Sequence, residues 1–341
     1  MCLKFAKNPS MKTKIIVTVG PASDDEETLK SLVQAGASVF RLNMSHGNIE
    51  SHEASLKRLK KLQKSSDIQI LLDTKGPEIR IGKIEEPLEL KEGDILYLSN
   101  ENACQSSIQV DYRDIADSAS QAKYIVLDGG KILLKVLGIE KQRVKVRVCS
   151  SGILTSFRHV NIPGVHINLP ILTDSDKQIL TMAQKYEPDY VAASFIRNVE
   201  DIHSVRSYLS QTNIGANLIS KIEHAEAMKN IEAIIPASDE IMVARGDLAV
   251  ETPWYKVPVK EERLIKMSRE AHKPVIIATQ MLSSMEHHMS PTRAEVMDMS
   301  IAVQMGADAL MLSDETAVGE YPVKAVEVMH KVAEYAEGYL L

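Results

Sequence analysis

The sequence predicts an α/β fold, a (β/α)8 TIM barrel with a small all-β domain inserted after the third strand. Eight short, β-branched apolar segments alternate with amphipathic stretches of helical periodicity, the pattern of eight βα units. This alternation is interrupted once, between residues 81 and 160. The predicted barrel strands are residues 15–19, 39–42, 68–72, 190–193, 217–221, 240–243, 275–278 and 309–312.

The interruption itself contains short apolar runs at close spacing, separated by glycine-rich turn signals. Such runs favour a small all-β module, because roughly 80 residues without secondary structure are rare in a compact domain. The runs are residues 95–97, 125–126, 132–136 and 144–148. We therefore expect residues 1–80 and 161–341 to form the barrel. Residues 81–160 are expected to form an inserted lid domain beside the face where barrel active sites lie.

Local signals mark the ends of several helices. Ser23 followed by Glu26, and Thr173 followed by Asp176, have the spacing of capping boxes, in which two side chains satisfy free amides of the first turn. Gly36 stands where a glycine in the left-handed conformation would end the first helix.

Composition limits the class of partner and the compartment. Basic residues number 40 and acidic residues 46, for a net charge of −6, which argues against nucleic acid as the main partner. The cysteines, Cys2, Cys104 and Cys149, form neither a disulfide framework nor a zinc motif, so a reducing compartment fits best. Neither a signal segment nor an apolar run of about 18 residues is present, and we expect a cytoplasmic protein without membrane contact.

Two acidic residues are expected to form a metal site. Glu223 follows predicted strand five and Asp247 follows strand six, and neighbouring barrel strands end at the same face. Two carboxylates with positions left for water and substrate oxygens suit Mg²⁺. Lys221, two residues before Glu223, would place an ammonium group in the same pocket. Each residue taken alone also fits a plainer role, as a solvated loop charge, a helix cap or an ion-pair partner.

Other strand ends carry groups suited to anions and to a second cation. Arg41 and Arg80 have the planar guanidinium that suits phosphate oxygens, although each alone also fits a surface ion pair. Gly246 permits close backbone approach, so amide N–H groups there could hold a carboxylate. Four residues offer neutral and anionic oxygens that would suit a monovalent cation or a hydrogen-bonded network, and spacing does not decide between them: Asn43, Ser45, Asp73 and Thr74.

These clusters, in this order, resemble the pyruvate kinase family, and the match extends over essentially the whole chain outside the insertion. The matching segments are residues 14–23 (KIIVTVGPAS), 41–47 (RLNMSHG), 72–80 (LDTKGPEIR), 160–170, 219–223 (ISKIE), 242–251 (MVARGDLAVE), 278–285 (ATQMLSSM), 291–295 (PTRAE) and 311–322. The resemblance implies the same barrel and insertion. It also implies the transfer of a phosphoryl group from phosphoenolpyruvate to ADP, giving pyruvate and ATP.

The resemblance also implies roles for individual residues. Glu223 and Asp247 would hold Mg²⁺ or Mn²⁺, Lys221 would stabilise the charge in transit, and Thr316 would take part, with water, in protonating the enolate. The implied K⁺ ligands are Asn43, Ser45, Asp73 and Thr74. The implied substrate-binding residues are Ser194, Ala244, Arg245, Gly246, Asp247 and Thr279. The implied nucleotide-binding residues are Arg41, His46, Arg80 and Arg158, of which Arg41 and Arg80 would also be catalytic.

The chain departs from the family pattern at several positions. Asp314 replaces a glycine two residues before Thr316, and a carboxylate about 6 Å from an anionic substrate would weaken its binding by on the order of 1–3 kcal/mol. Ala249 replaces a glycine and His224 an asparagine, while Phe157 replaces a basic residue of the lid.

Two features bear on regulation. Glu78 is the residue that accompanies K⁺ dependence in the family. The family's C-terminal regulatory domain has no counterpart in these 341 residues, so we expect a form that lacks it and the allosteric control it provides. The resemblance leaves a homodimer through the barrel helices open.

Three functions remain open from the sequence: a pyruvate kinase, a metal-dependent lyase or aldolase acting through pyruvate enolate, and a non-catalytic sensor of phosphoenolpyruvate or nucleotide. A lyase has little use for a lid over ADP or for the K⁺ oxygens. The retained cationic residues Arg41, Lys75, Arg80 and Lys221 favour the kinase.

Overall fold

The computed structural model describes residues 11–101 and 107–339. Its strands are β1 (Lys14–Thr18), β2 (Val39–Asn43), β3 (Gln69–Asp73), β4 (Leu88–Leu90), β5 (Ile95–Ser99), β6 (Ser107–Gln109), β7 (Tyr124–Leu127), β8 (Ile132–Glu140), β9 (Arg143–Val148), β10 (Gly152–Leu154), β11 (Val160–Asn161), β12 (Tyr190–Ala193), β13 (Asn217–Ile222), β14 (Glu240–Ala244), β15 (Val275–Ala278) and β16 (Ala309–Leu312). Eight of these strands, all parallel, close into a barrel in the order β1, β16, β15, β14, β13, β12, β3, β2. The predicted fold class is confirmed, and every predicted barrel strand agrees with the observed one to within one residue at each end.

The helices surround the barrel, except α3, which packs against the inserted strands. They are α1 (Glu26–Ala35), α2 (Ile49–Gln63), α3 (Ile115–Ser120), α4 (Asp174–Ala183), α5 (Val199–Gln211), α6 (Ala225–Lys229), α7 (Ile231–Ala237), α8 (Arg245–Glu251), α9 (Val257–Glu270), α10 (Arg293–Met305), α11 (Asp314–Ala317) and α12 (Pro322–Gly338). Within the described ranges, no helix is long and apolar enough to cross a membrane.

The insertion after β3 has its own sheets and its own core. Six strands form one sheet in the order β11, β7, β8, β9, β5, β6, and β10 pairs with β4. All four predicted apolar runs lie in these strands. The sequence did not indicate β4, β6, β10 and β11, because strands of two or three residues carry too little periodicity to be recognised. The exact domain boundaries at residues 80 and 160 stay a prediction.

The alternation of side chains along the strands explains why polar groups lie at one end of the barrel interior. Val39, Leu71 and Ile219 fill the interior as a buried apolar layer. Since side chains alternate along a strand, the residues two positions later also point into the barrel, and they lie nearer the carboxyl ends of the strands. Those residues are Arg41, Asp73 and Lys221, all of them buried.

The helix-end predictions were partly right. The capping box of Thr173 and Asp176 is confirmed at the start of α4, and Gly36 ends α1 with φ +116°. The prediction for Ser23 was wrong, because Asp25 caps α1 and its carboxylate accepts from the amides of the first turn. The Ser23 hydroxyl instead accepts from Gly20 N.

Asp176 does more than cap a helix. Its fully buried carboxylate accepts from Lys75 N at 2.7 Å and Gly76 N at 3.1 Å, as well as from the amide and hydroxyl of Thr173. Asp176 thereby fixes the loop that leads from β3 into the insertion.

We expect Asp176→Asn to lower the free energy of unfolding by about 2–4 kcal/mol, since it replaces acceptors with an N–H donor that faces buried N–H groups. Urea unfolding measures this. Asp174→Asn, whose side chain on the same helix is 97% exposed, is the control and should change stability by less than about 1 kcal/mol. Equal effects from the two substitutions would contradict this role for Asp176.

Candidate active site

A cleft of about 510 Å³ lies between the barrel mouth and the insertion. Ten of the predicted site residues line it: Arg41, Asn43, Ser45, His46, Arg80, Arg158, Ser194, Lys221, Glu223 and Asp247. The other predicted residues do not line it: Asp73, Thr74, Ala244, Arg245, Gly246, Thr279 and Thr316. The structure therefore brings together the predicted metal, phosphate and lysine groups.

Lys221 is the centre of a buried network of charges. Its Nζ lies 3.0 Å from Asp73 Oδ1 and 2.9 Å from Glu223 Oε1, and it donates to Ser194 Oγ at 2.7 Å. Arg41 Nε donates to the other oxygen of Asp73 at 2.6 Å. Burial alone would raise the pKa of Asp73, but the neighbouring Lys221 and Arg41 outweigh it and lower that pKa. Asp73 is thus a fixed anion between two cations.

The Glu223 and Asp247 carboxylates carry more negative charge than their surroundings balance. Burial, opposed by Lys221 and reinforced by Asp247 and Asp73, raises the pKa of Glu223 to about 7. Burial likewise raises the pKa of Asp247. Two carboxylates short of positive charge, Glu223 buried and Asp247 half-buried, fit a divalent cation. Among residues 11–101 and 107–339, no group of three or more His, Cys, Asp or Glu side chains is placed to hold a metal, so water and substrate would supply the remaining ligands.

The predicted K⁺ oxygens lie at the ends of β2 and β3, where Asn43 and Asp73 are partners in register. Asn43 Oδ1 accepts from Ser45 N, and Thr74 Oγ1 accepts from Ser194 N. These oxygens therefore already hold one protein donor each. Since a carbonyl or hydroxyl oxygen has a second lone pair, the donor set still fits a monovalent cation by chemistry.

Arg245 is placed differently from what a substrate ligand requires. Its guanidinium is buried and donates to the carbonyls of Thr279 and Gln280 and to the carboxylate of Asp298. Only its backbone remains to contact a substrate. Beside it, Gly246 N donates to Thr279 Oγ1 at 2.8 Å, so the amide and the hydroxyl predicted to hold a carboxylate are bonded to each other.

The loop after β16 is also more enclosed than the sequence suggested. Thr316 is fully buried, and its hydroxyl donates to Thr18 O at 2.9 Å and accepts from Thr18 N at 3.0 Å. Asp314 is exposed and does not line the cleft. Its carboxylate therefore does not block the cleft, and its charge helps to raise the pKa of Glu286, where burial is the larger cause.

The insertion supplies one wall of the cleft. Arg158 donates to Thr155 Oγ1, and Arg80 donates to the carbonyl of the exposed Phe157. Sequence reasoning missed five lining residues, which are Asp128, Gly129, Lys131, His159 and Phe195. The pair Gly129-Gly130 after Asp128 was a turn signal that could have indicated a loop facing a ligand.

Together, the closed barrel and the polar cleft at the carboxyl ends of its strands define a (β/α)8-barrel protein with the site in the position usual for enzymes of this fold. The chain belongs to the pyruvate kinase family, because residues 10–326 match the family model "Pyruvate kinase, barrel domain".

Relatives from several lineages agree with this assignment. The chain is 41% identical to plastidial pyruvate kinase 3 of Arabidopsis thaliana, 43% identical to pyruvate kinase of Bacillus licheniformis and 39% identical to pyruvate kinase of Thermococcus litoralis. These alignments cover 96%, 96% and 97% of the chain, and 58%, 57% and 71% of the respective relatives. The chain thus spans less than two thirds of the length of the Arabidopsis thaliana and Bacillus licheniformis relatives.

Proposed function

We propose that the protein transfers the phosphoryl group of phosphoenolpyruvate to ADP, giving pyruvate and ATP. The observation that carries this proposal is the Lys221 ammonium, 2.9 Å from Glu223, in a cleft that Asp247 and the basic residues Arg41 and Arg80 also line. An anionic phosphate ester would meet cations there on several sides. The names of the relatives support the same reaction.

Each cationic group has a definite task in this proposal. Lys221 is held in place by Asp73 and Glu223, so its ammonium needs no reorientation as negative charge moves from the phosphoryl group to the enolate oxygen. Arg41 and Arg80 contact phosphate oxygens, and His46 and Arg158 contact the nucleotide. Mg²⁺ or Mn²⁺, held by Glu223 and Asp247, would neutralise phosphate charge and polarise the enolate oxygen.

The substrate carboxylate is assigned to the end of β14. The Ala244–Asp247 backbone and the Thr279 hydroxyl would hold it, with Ser194 orienting Lys221. Thr316 would act in enolate protonation through a water molecule, because its own hydroxyl is bonded to Thr18.

A coupled assay with phosphoenolpyruvate, ADP, Mg²⁺ and K⁺ tests the proposal, and pyruvate release is the expected result. No pyruvate across a range of divalent metals would refute it. Cleavage of a longer pyruvate-derived substrate would then support the lyase or aldolase, and binding without turnover would support the sensor.

The K⁺ role is tested in the same assay. Replacing K⁺ by tetramethylammonium should cut the rate strongly, because position 78 holds Glu78, paired with Arg80 at 2.6 Å, and not a lysine that would supply the charge of K⁺ internally. The residues proposed to ligate K⁺ are Asn43, Ser45, Asp73 and Thr74. An unchanged rate without K⁺ would contradict the role given to Glu78 and the assignment of the four K⁺ ligands.

The proposed setting is the cytoplasm, in agreement with a free thiol at Cys149; Cys2 and Cys104 lie outside the described residues. A homodimer through the barrel helices is also proposed. It is supported by apolar side chains exposed on and just before α9 and on α10, namely Trp254, Tyr255, Val259, Met297 and Ile301. Sedimentation velocity at micromolar concentration should show a dimer, and a monomer would contradict this proposal.

A further inference from the structure

Two residues after β15 adopt a backbone conformation that their side chains disfavour. Thr279 has φ +69° and Gln280 has φ +55°, both in the left-handed region. A β-branched residue there is an outlier, because its Cβ crowds the adjacent carbonyl. Such a turn persists only where the surrounding structure holds it, and strained turns are concentrated at functional sites.

The Arg245 guanidinium is the group that holds this turn. Arg245 Nε and Nη2 donate to the Thr279 carbonyl at 3.2 and 2.8 Å, and Nη2 also donates to the Gln280 carbonyl at 3.0 Å. The Arg245 residue is only 7% exposed. A planar fork with five donors in fixed directions holds two successive carbonyls and a carboxylate in one geometry, whereas an ammonium offers three rotatable donors on a single atom.

Two acidic side chains fix the guanidinium from its other side. Arg245 Nη1 lies 2.6 Å from Asp298 Oδ2 on α10 and 3.5 Å from Glu261 Oε2 on α9. The shorter contact, with Asp298, is the one of hydrogen-bond length for a charged pair. Asp298 therefore sets the orientation of Arg245, and Arg245 sets the orientation of the turn.

The turn brings one hydroxyl to the segment that follows β14. Ala244 and Ala278 are partners in register, so the segments that follow β14 and β15 start side by side. Thr279 Oγ1 accepts from Gly246 N at 2.8 Å and donates to Ala278 O at 2.6 Å. Gly246 directly precedes Asp247, one of the two proposed metal ligands. The strained turn thus places a hydroxyl next to the amide of the residue that precedes a proposed metal ligand.

We infer that Arg245 and Asp298 are positioning residues, which hold the Thr279 hydroxyl and the Gly246 amide in place for the carboxylate of the substrate. The inference rests on the proposed function. A bound carboxylate replaces the internal bond between these two groups and so needs both at fixed positions. Neither Arg245 nor Asp298 touches the substrate through its side chain.

The test compares Asp298→Asn, Asp298→Glu and Arg245→Lys in steady-state kinetics. Asp298→Asn should raise the KM for phosphoenolpyruvate about tenfold, with the KM for ADP within about twofold of wild type. Asp298→Glu restores the carboxylate and should behave like wild type. Arg245→Lys loses the fork and should show a larger rise than Asp298→Asn.

A matched control is the pair of Arg206 and Asp239 at the opposite end of the barrel, joined at 2.8 and 3.0 Å. Asp239→Asn should lower the melting temperature and leave both KM values unchanged. Asp298 is 41% exposed at its side chain, so its variants should fold even if Arg245→Lys does not.

The inference is overturned if Asp298→Asn lowers only the melting temperature, or if it raises the KM for both substrates equally. Failure of the proposed function has a different signature, which is wild-type protein that releases no pyruvate. In that case the inference is tested by measuring the affinity of wild type and Asp298→Asn for phosphoenolpyruvate by calorimetry. Weaker binding in Asp298→Asn alone would sustain it, and equal or absent binding in both proteins would overturn it.

Discussion

Replacing Lys221 by methionine is expected to reduce turnover by about a thousandfold or more. The substitution keeps most of the side-chain volume and removes the ammonium that lies between Asp73 and Glu223. Loss of one fixed electrostatic donor from an enclosed site costs about 10²–10³ in kcat, and here the lost donor also carries a full charge. The measurement is kcat in the coupled pyruvate assay.

Folding must be separated from catalysis in this experiment. Removing the lysine leaves two buried carboxylates with less compensation, which costs about 3–5 kcal/mol when a buried pair is broken. Lys221→Arg keeps the charge and should remain folded, yet it should be strongly impaired because the longer fork moves the charge. Lys14→Met is the matched control, since Lys14 begins β1 at the far end of the barrel and contacts Gln69 and Tyr190. Turnover near the wild-type level in Lys221→Met would exclude Lys221 from the reaction.

The sequence predicted best what depends on neighbours along the chain. Apolar alternation is a local property, and the position where it stops marks the end of a strand. In a closed barrel, all such ends meet at one face. Local reasoning was therefore enough to place Lys221, Glu223 and Asp247 in one cleft. It did so although Glu223 and Asp247 are 24 residues apart and nothing in the sequence between them indicates that they meet.

What the sequence could not predict depends on contacts between distant segments. The hydroxyl of Thr316 bonds to Thr18, 298 residues away. The direction of the Arg245 side chain is decided by carbonyls and a carboxylate from the next unit of the barrel, that of β15 and α10. No periodicity encodes such choices. The capping error at Ser23 has a different origin, because Ser23 and Asp25 are both good caps and only the structure shows which amides each one meets.

Glu223→Gln is expected to raise the Mg²⁺ concentration for half-maximal activity by about 10–100-fold, because it removes one of two anionic ligands. Asp247→Asn should act similarly. Titration of Mg²⁺ in the pyruvate assay measures this, and Asp314→Asn is the control, since Asp314 is exposed and lies outside the cleft. An unchanged Mg²⁺ requirement in Glu223→Gln would contradict the metal site.

Glu223→Gln should also change how the free energy of unfolding depends on pH once divalent metal is removed with a chelator. Burial raises the pKa of Glu223 from 4.5 to about 7, so the folded protein keeps a proton that the unfolded chain releases. The resulting stabilisation is fully present below about pH 4.5 and is lost as the pH rises through 7. The loss amounts to about 3 kcal/mol, since one pKa unit corresponds to about 1.4 kcal/mol. Glu223→Gln has no such proton, so the decline in unfolding free energy between pH 5 and pH 8 should be smaller by about that amount. If wild type and Glu223→Gln show the same pH dependence of unfolding free energy in chelator, the charge of Glu223 is already neutralised by Lys221. The Glu223 and Asp247 carboxylates would then not require a cation.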